Sequence, residues 1–193
     1  MDQYIIISGI VLLIVVGIVF YQVAFLFPKP VMAQPDAGMF VLRNKENGRM
    51  LRPEVVKKDD GIPMKTFTAR PWTCEVWRFH PLGDGTFIIE NVFSGKTFGS
   101  DTKCAHNNSQ VIQTSVLPDF SLSPIYKFIK LADNSYHIQN TSGHCLTANT
   151  PETKKITYLT FSDRKGLNNQ KWEVLEAPSR LFGYKVVGDP NYV

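Results

Sequence analysis

The longest apolar run of the chain lies at its beginning. Residues 5–27 read IIISGIVLLIVVGIVFYQVAFLF and contain no charged side chain. As a helix with a rise of about 1.5 Å per residue, this run would span roughly 34 Å, which is enough to cross a hydrocarbon core of about 30 Å. Pro28 and Pro30 would end such a helix. We therefore predict one N-terminal transmembrane helix, an anchor over residues 1–27, followed by a linker over residues 28–36.

A cleavable signal peptide is the alternative, because Val31-Met32-Ala33 resembles a cleavage site of small residues. The apolar run is longer than that of a signal peptide, and residues 1–3 carry no Lys or Arg, so we favour a retained anchor. Lys29 and several arginines follow the run, and the positive-inside rule then places the C-terminal domain on the cytoplasmic side. The pattern thus predicts a single-pass membrane protein with the lipid bilayer as a partner.

After residue 30 the apolar positions no longer follow a helical period. Trp77 and Phe79 alternate with polar residues, as on one face of a strand. About ten residues later, Phe87-Ile88-Ile89 has the composition of the returning strand. The turn residues Gly83-Asp84-Gly85 separate the two stretches. The alternation therefore predicts short strands joined by tight turns.

This hairpin pattern recurs along the chain. Each copy combines an aromatic residue that opens a strand with an Asn and a Gly that form a tight turn. The residues that keep the pattern are Trp77, Tyr126, Trp172, Asn44, Asn91, Asn140, Gly48, Gly95 and Gly143. The glycines are 47 to 48 residues apart. Three repeats of about 47 residues, closed on one another so that few strand edges are exposed, predict an all-β domain over residues 37–177.

The repeated pattern resembles the ricin B-type β-trefoil, the family with the Q-x-W signature. Gln170-Lys171-Trp172 keeps the signature, whereas Glu75-Val76-Trp77 and Pro124-Ile125-Tyr126 depart from it. The resemblance covers residues 37–177 and implies a β-trefoil. It also implies that Gln170 is a buried hydrogen-bonding residue beside Trp172.

In that family a sugar site implies an Asp after the Gly-x-Cys-Leu step, an aromatic platform on the next hairpin, and an Asn just before Q-x-W. In the third unit these positions fall on Thr147, Tyr158 and Asn169. The Asp and Asn positions fall on Gly99 and Ser123 in the second unit, and on Arg52 and Cys74 in the first. A hydroxyl at the Asp position forms hydrogen bonds about half as strong as those of a carboxylate. We therefore expect weak glycan binding at most, with Asn169, Tyr158 and Thr147 as the candidate residues.

Charge and candidate chemistry narrow the function further. The net charge is +4 and the basic residues are spread out, which argues against a nucleic-acid partner. The chain contains no G-x-S-x-G, P-loop or H-E-x-x-H motif and no Cys/His cluster with metal-ligand spacing. His80 and His137 are predicted at surface strand positions. We expect a protein that is not an enzyme and has neither a metal nor a cofactor.

Three cysteines, Cys74, Cys104 and Cys145, cannot all pair within one chain. We expect them to be mostly free and buried, with one disulfide and a spare thiol as the alternative. The tail over residues 178–193 is too apolar for a free end, and we expect it to lie against the trefoil or to dock on a partner.

The sequence favours a membrane-anchored, non-catalytic binding module that tethers other proteins. A link between a membrane and a scaffold, such as a minor capsid component of a membrane-containing virion, suits this architecture. The alternatives are a membrane-bound lectin and an accessory domain of an enzyme on another chain.

Overall fold

The structure, a computed structural model, describes residues 37–101, 106–117, 123–149 and 157–178. The strands are β1 (Gly38–Asn44), β2 (Met50–Pro53), β3 (Met64–Phe67), β4 (Val76–Gly83), β5 (Thr86–Asn91), β6 (Lys96–Ser100), β7 (Ser109–Ser115), β8 (Tyr126–Lys130), β9 (Tyr136–Asn140), β10 (Cys145–Asn149), β11 (Thr157–Ser162) and β12 (Trp172–Glu176). Two short 3-10 turns, Thr73–Glu75 and Asn168–Gln170, precede β4 and β12. The predicted all-β class is confirmed.

Some predicted segments lie outside the described residues. They are the anchor over residues 1–27, the linker over residues 28–36 and, beyond Pro178, the apolar tail. The described ranges hold no helix with the length and apolar character that a membrane crossing requires.

Six strands close into an antiparallel ring. β1 pairs with β4 on one side and with β12 on the other, and β4 pairs with β5. The ring continues from β5 to β8, from β8 to β9, and from β9 back to β12. A closed ring pairs both sides of every strand, so these six strands present no free edge to another chain.

The other six strands form three hairpins that meet one another. The hairpins are β2–β3, β6–β7 and β10–β11. β11 pairs with β3 through Tyr158 and Lys65, and with β7 through Thr160 and Gln110. Their inward side chains share one core with the ring. The hairpins thus bring together segments that are far apart in the sequence.

Large aromatic side chains fill the core. Trp77, Tyr126 and Trp172 are fully buried, and the ring of Trp77 lies edge-on to Phe98 at 5.3 Å between ring centroids. Burial of aromatic surface on this scale dominates the energetics of a small domain, at about 25 cal/mol per Å² of apolar area. The aromatic residues at or next to the start of strands β4, β8 and β12 are therefore core residues.

The same polar contact occurs at each of these three aromatic residues. In each case the ring donates a hydrogen bond to a main-chain carbonyl of the hairpin that comes before it in the chain. The pairs are Trp77 Nε1 with Leu51 O at 3.2 Å, Trp172 Nε1 with Leu146 O at 2.9 Å, and Tyr126 Oη with Phe98 O. The hydrogen bond joins the ring strands to the hairpins and fixes the orientation of each buried aromatic side chain.

The predicted Asn-Gly turns also recur in the structure. The amide nitrogens of Gly48, Gly95 and Gly143 donate to the carbonyl oxygens of Asn44, Asn91 and Asn140, at 2.9, 2.8 and 3.0 Å. All three glycines have a positive φ, which L-residues with a Cβ rarely adopt. The side chain of Asn91 also donates from Nδ2 to Cys74 O at 3.0 Å, and Asn44 donates to Asn169 O at 3.0 Å. These asparagines thus connect their turns to the segments that lead into β4 and β12.

Candidate functional site

The predicted sugar residues of the third unit lie in different environments. Thr147 is only 4% exposed, and its hydroxyl donates to Cys145 O at 2.9 Å. The Thr147 oxygen also accepts a hydrogen bond from Gln170 Nε2 at 3.1 Å. The hydroxyl of this buried side chain thus uses its donor and one acceptor position within the protein, so Thr147 joins β10 to the Asn168–Gln170 turn.

Gln170 is buried and fully engaged. Its Oε1 accepts from the amide of Lys165 at 2.7 Å, and its Nε2 donates to Asp163 O at 2.7 Å as well as to Thr147. A buried amide that uses its acceptor and both donors holds the loop before β12 against β10. The geometry gives Gln170 a structural role beside Trp172.

Asn169 is half-buried and lies next to this network. Its carbonyl oxygen accepts from Asn44 Nδ2, whereas its side-chain Oδ1 is buried and has no hydrogen-bond partner among the described residues. The oxygen that would receive a sugar hydroxyl is therefore inside the protein. Thr147 and Asn169 both lie near Gln170. Tyr158 is not directly opposite Thr147, because Thr147 pairs with Thr160 and Tyr158 lies two residues before Thr160 on β11.

Tyr158 belongs to a polar row that crosses four strands. On β11 it is directly opposite Lys65 of β3 on one side and Asn149 of β10 on the other. Lys65 is in turn directly opposite Arg52 of β2. Opposed residues of antiparallel strands point to the same face, so the four side chains form one row. Tyr158 is 38% exposed, and its hydroxyl donates to Glu54 Oε1.

Two aromatic residues of the first unit lie beside one end of this row. Phe67 and Trp72 are both half-buried, and their rings stack at 6.0 Å between centroids. The guanidinium of Arg52 lies over both rings, at 5.0 Å from the Phe67 centroid and 5.4 Å from the Trp72 centroid. Lys65 Nζ is 5.4 Å from the Phe67 centroid. The first unit therefore combines two cations with a stacked aromatic pair.

Burial lowers the pKa of Lys65, and repulsion by Arg52 lowers it further. The Glu54 carboxylate acts in the opposite direction and offsets part of the decrease. Like charges directly opposite each other in a sheet are destabilising. A group whose pKa is shifted by burial and by a specific charge nearby is a candidate for a functional site.

Glu75 is a second perturbed group in the first unit. It is 1% exposed, and burial raises the pKa of its carboxyl to about 7. Its Oε2 accepts from the amide of Arg70 at 2.8 Å, but its Oε1 has no hydrogen-bond partner among the described residues. Glu75 lies two residues before Trp77, just as Gln170 lies two residues before Trp172. Arg70 and Lys165, whose amides donate to these two side chains, each lie five residues earlier. The carboxyl therefore occupies a site that suits a neutral amide.

Two cysteines and one histidine are buried in the trefoil. Cys74 and Cys145 are free and buried, as expected, and burial raises the pKa of each thiol to about 11. Cys104 lies outside the described residues.

The surface position predicted for His137 is wrong, because the side chain is 3% exposed beside Cys145. The alternation of β9 breaks there, since Tyr136, His137 and Ile138 are all buried.

Solved structures that are similar to this chain include a designed protein, an agglutinin and a β-trefoil protein. A designed 3-fold symmetric protein, ThreeFoil, aligns with 72% of this chain and 98% of its own, at 22% identity and a TM-score of 0.65. The Rhizoctonia solani agglutinin covers 75% of this chain and 98% of its own, at 18% identity and a TM-score of 0.64. The BEL β-trefoil covers 74% of this chain and 96% of its own, at 17% identity and a TM-score of 0.55.

The fold is a β-trefoil. The likeness at these low identities concerns the fold alone, and no protein-family model or curated protein matches the chain. Within the trefoil, the described residues contain no group of three His, Cys, Asp or Glu side chains placed to share a metal ion.

Lys65, Phe67 and Trp72 were not among the residues predicted to form a site. One signal in the sequence pointed towards them: Arg52 occupies the position at which the family implies an Asp. The alternation of Lys65 and Phe67 along one strand also places them on one face. The register that sets Lys65 opposite Arg52 and Tyr158 has no counterpart in a local sequence pattern.

Proposed function

We propose that this chain is a non-catalytic carbohydrate-binding module of the ricin B type, built from three units of about 47 residues and anchored in a membrane by residues 5–27. The observation that carries the proposal is the polar row across β2, β3, β11 and β10 beside the Phe67–Trp72 pair. Ligand sites in proteins combine aromatic surface with a few placed polar groups. The row meets this description better than the third-unit residues do.

Because of the polar row, carbohydrate binding is favoured over protein tethering. From the sequence alone, protein tethering is favoured because no unit keeps the sugar-binding set. In the folded chain, Tyr158 reaches the first unit and adds an exposed phenol to the cations and aromatic rings there. A site shared by two units supports carbohydrate binding without the family's Asp.

Replacing Trp72 by alanine is expected to weaken glycan binding by at least about ten-fold, which corresponds to about 1.4 kcal/mol. The substitution removes half of the stacked aromatic pair while the strands of the row remain. The full-length chain would be screened on a glycan array, and the affinity for the strongest glycan would be measured by calorimetry.

Two matched variants complete this test. Leu167→Ala alters a residue that is 55% exposed and lies outside the row, so its affinity should equal that of the parent. Asn169→Ala distinguishes the polar row from the third-unit residues, because it should reduce binding only if the third unit holds the site. An array without signal above background would remove the lectin proposal.

Protein tethering is the second candidate, and an exposed apolar surface favours it. Met39 and Leu82 are 46% and 47% exposed, and they border a shallow depression together with Phe79 and Pro81. Surfaces of this kind are typical of protein contacts when they are contiguous. The sequence alone supports three further proposals: membrane anchoring, a cytoplasmic position of the domain and a role in a virion.

For the tethering proposal, a photo-crosslinking residue at position 39 is expected to capture one protein partner in near-stoichiometric yield from intact membranes. The same group at position 167 is the control, since Leu167 is exposed away from the depression. The products would be separated by gel and identified by mass spectrometry. A chain that yields only uncrosslinked monomer at both positions would count against tethering.

A further inference from the structure

We propose that the apolar part of the C-terminal tail, residues 181–187, docks in the depression bordered by Met39 and Leu82. The occupant of this surface is then a segment of the same chain and not a second protein. The inference does not depend on the carbohydrate proposal, and it competes with protein tethering for one surface. It assigns a binding site to the tail, which lies outside the described residues beyond Pro178.

The tail leaves the trefoil next to the depression. β12 pairs with β1 as far as Glu176, which is directly opposite Phe40. The amide of the next residue, Ala177, donates to Met39 O at 3.3 Å. Met39 also borders the depression. The main chain is therefore held against a residue of the proposed site just before the tail begins.

An apolar surface continues from this exit point along the outside of the ring. Both neighbours of Val41 along β1 belong to the main core, so Val41 itself points outward. Val41 is opposite Leu175 of β12 in a small, separate hydrophobic cluster, and Ala177 packs against this cluster. Met39 lies two residues before Val41 and points to the same face of the strand. The tail therefore starts on an apolar face that includes Met39.

The depression and the tail have complementary character. Met39 and Leu82 are 46% and 47% exposed, and Phe79 and Pro81 extend the apolar lining. Residues 181–187 read LFGYKVV and carry a single charged side chain. An exposed apolar surface and an apolar segment gain free energy by covering each other, because apolar area leaves water.

The charged side chains that line the depression have partners within the trefoil. Arg78 Nη1 is 3.2 Å from Glu90 Oε1, and His80 Nε2 is 2.9 Å from Glu90 Oε2. An acidic ligand is therefore not needed to neutralise Arg78. Charged residues are also depleted at the centres of protein contacts, so a segment with few charges suits this surface.

The short distance along the chain favours the tail over a separate protein. Leu181 is four residues after Ala177, and four extended residues span at most about 13–14 Å. Arg78, which is directly opposite Met39, is likewise four residues from Leu82, so this reach matches the length of the depression. A tethered segment competes at an effective concentration on the order of millimolar. A separate protein would need a comparable concentration or a tighter contact to displace it.

The test places a photo-crosslinking phenylalanine analogue at position 82 of the full-length chain in phosphatidylcholine vesicles. Isotopically labelled and unlabelled chains are mixed in equal amounts, so mass spectrometry distinguishes products within one chain from products between two. Trypsin cuts after Arg180 and Lys185, so a peptide of residues 181–185 reports the crosslink. We expect this product within one chain in at least about ten-fold higher yield than with the same group at position 167, since Leu167 is exposed outside the depression.

Two tail variants test the contact without changing a described residue. Leu181→Ser combined with Phe182→Ser should reduce the crosslink yield at least about five-fold, because the segment loses two consecutive large apolar side chains. Tyr192→Ser is the matched control, ten residues beyond Phe182, and should leave the yield unchanged. Circular dichroism of each variant would verify that the trefoil is folded.

Other occupants of the depression would overturn the inference. Products that join labelled and unlabelled chains would identify a second copy, and products with lipid would identify the bilayer. In intact membranes, capture of another protein in place of the tail peptide would assign the surface to tethering. Absence of any product at position 82, or an equal yield at position 167, would also contradict tail docking. These results do not bear on glycan affinity, which Trp72→Ala tests separately.

Discussion

Replacing Trp172 by alanine is expected to lower the free energy of unfolding by about 3–5 kcal/mol. The side chain is fully buried in the core, and its indole Nε1 donates to Leu146 O at 2.9 Å. The substitution would leave a cavity and deprive a buried carbonyl of its donor. Since small domains are stable by only about 5–15 kcal/mol, this one change removes a large share of the stability. Urea denaturation of the full-length chain, followed by circular dichroism, would measure the loss.

Two further variants separate the contributions. Trp172→Phe keeps an aromatic ring in the core but lacks the indole donor, so we expect a smaller loss of about 1–3 kcal/mol. Leu167→Ala changes an exposed side chain and should stay within about 0.5 kcal/mol of the parent. If Trp172→Ala fails to fold, the Phe variant still gives the comparison. A loss below about 1 kcal/mol in the alanine variant would contradict the core position of Trp172.

The second prediction concerns Glu75, whose substitution by glutamine should stabilise the protein at high pH. The carboxyl has a pKa of about 7 in the folded chain, against 4.5 as its ordinary value. Between these values the folded state binds more protons than the unfolded state, so stability decreases as the pH rises from about 4.5 through about 7. One pKa unit corresponds to about 1.4 kcal/mol, which makes the decrease about 3 kcal/mol. Glu75→Gln removes this decrease.

The measurement compares urea denaturation of the parent and Glu75→Gln at about pH 5 and about pH 8. The difference between the two proteins should be small at the lower pH and reach about 1–3 kcal/mol in favour of Gln at the higher pH. Glu176→Gln is the control, because that carboxylate is exposed at the end of β12 and should leave the pH dependence of the parent unchanged. Identical pH profiles for the parent and Glu75→Gln would show that the Glu75 carboxyl ionises normally.

Glu75 and Gln170 occupy matching positions but differ in their hydrogen-bonding groups. The resemblance places Glu75 where the family has the Gln of Q-x-W. At the same point in the third unit, Gln170 uses an acceptor and both donors inside the protein. Ionised glutamate has only acceptors, so it can replace the acceptor of the amide but not its donors. The substitution therefore tests a difference between two units of one chain.

Much of the trefoil could be predicted because its determinants are local. Alternation of Trp77 and Phe79 predicts a strand with one buried face, and β4 buries both side chains. Gly83, Asp84 and Gly85 predict the turn to β5, and all three have a positive φ. Local alternation failed at His137, because both faces of β9 are covered by the fold at that point. The local pattern is informative only where one face of a strand meets solvent.

By itself, the sequence determined the elements, their turns and the buried aromatic residues, since each depends on neighbours within a few residues along the chain. It also marked Arg52 as a departure from the family's sugar site. Only the tertiary structure placed Lys65 between Arg52 and Tyr158, because the pairing of β3 with β11 joins segments more than ninety residues apart. The candidate site depends on that long-range register. The sequence predicts a site in the third unit, whereas the fold places the polar row where β11 of the third unit meets β3 of the first.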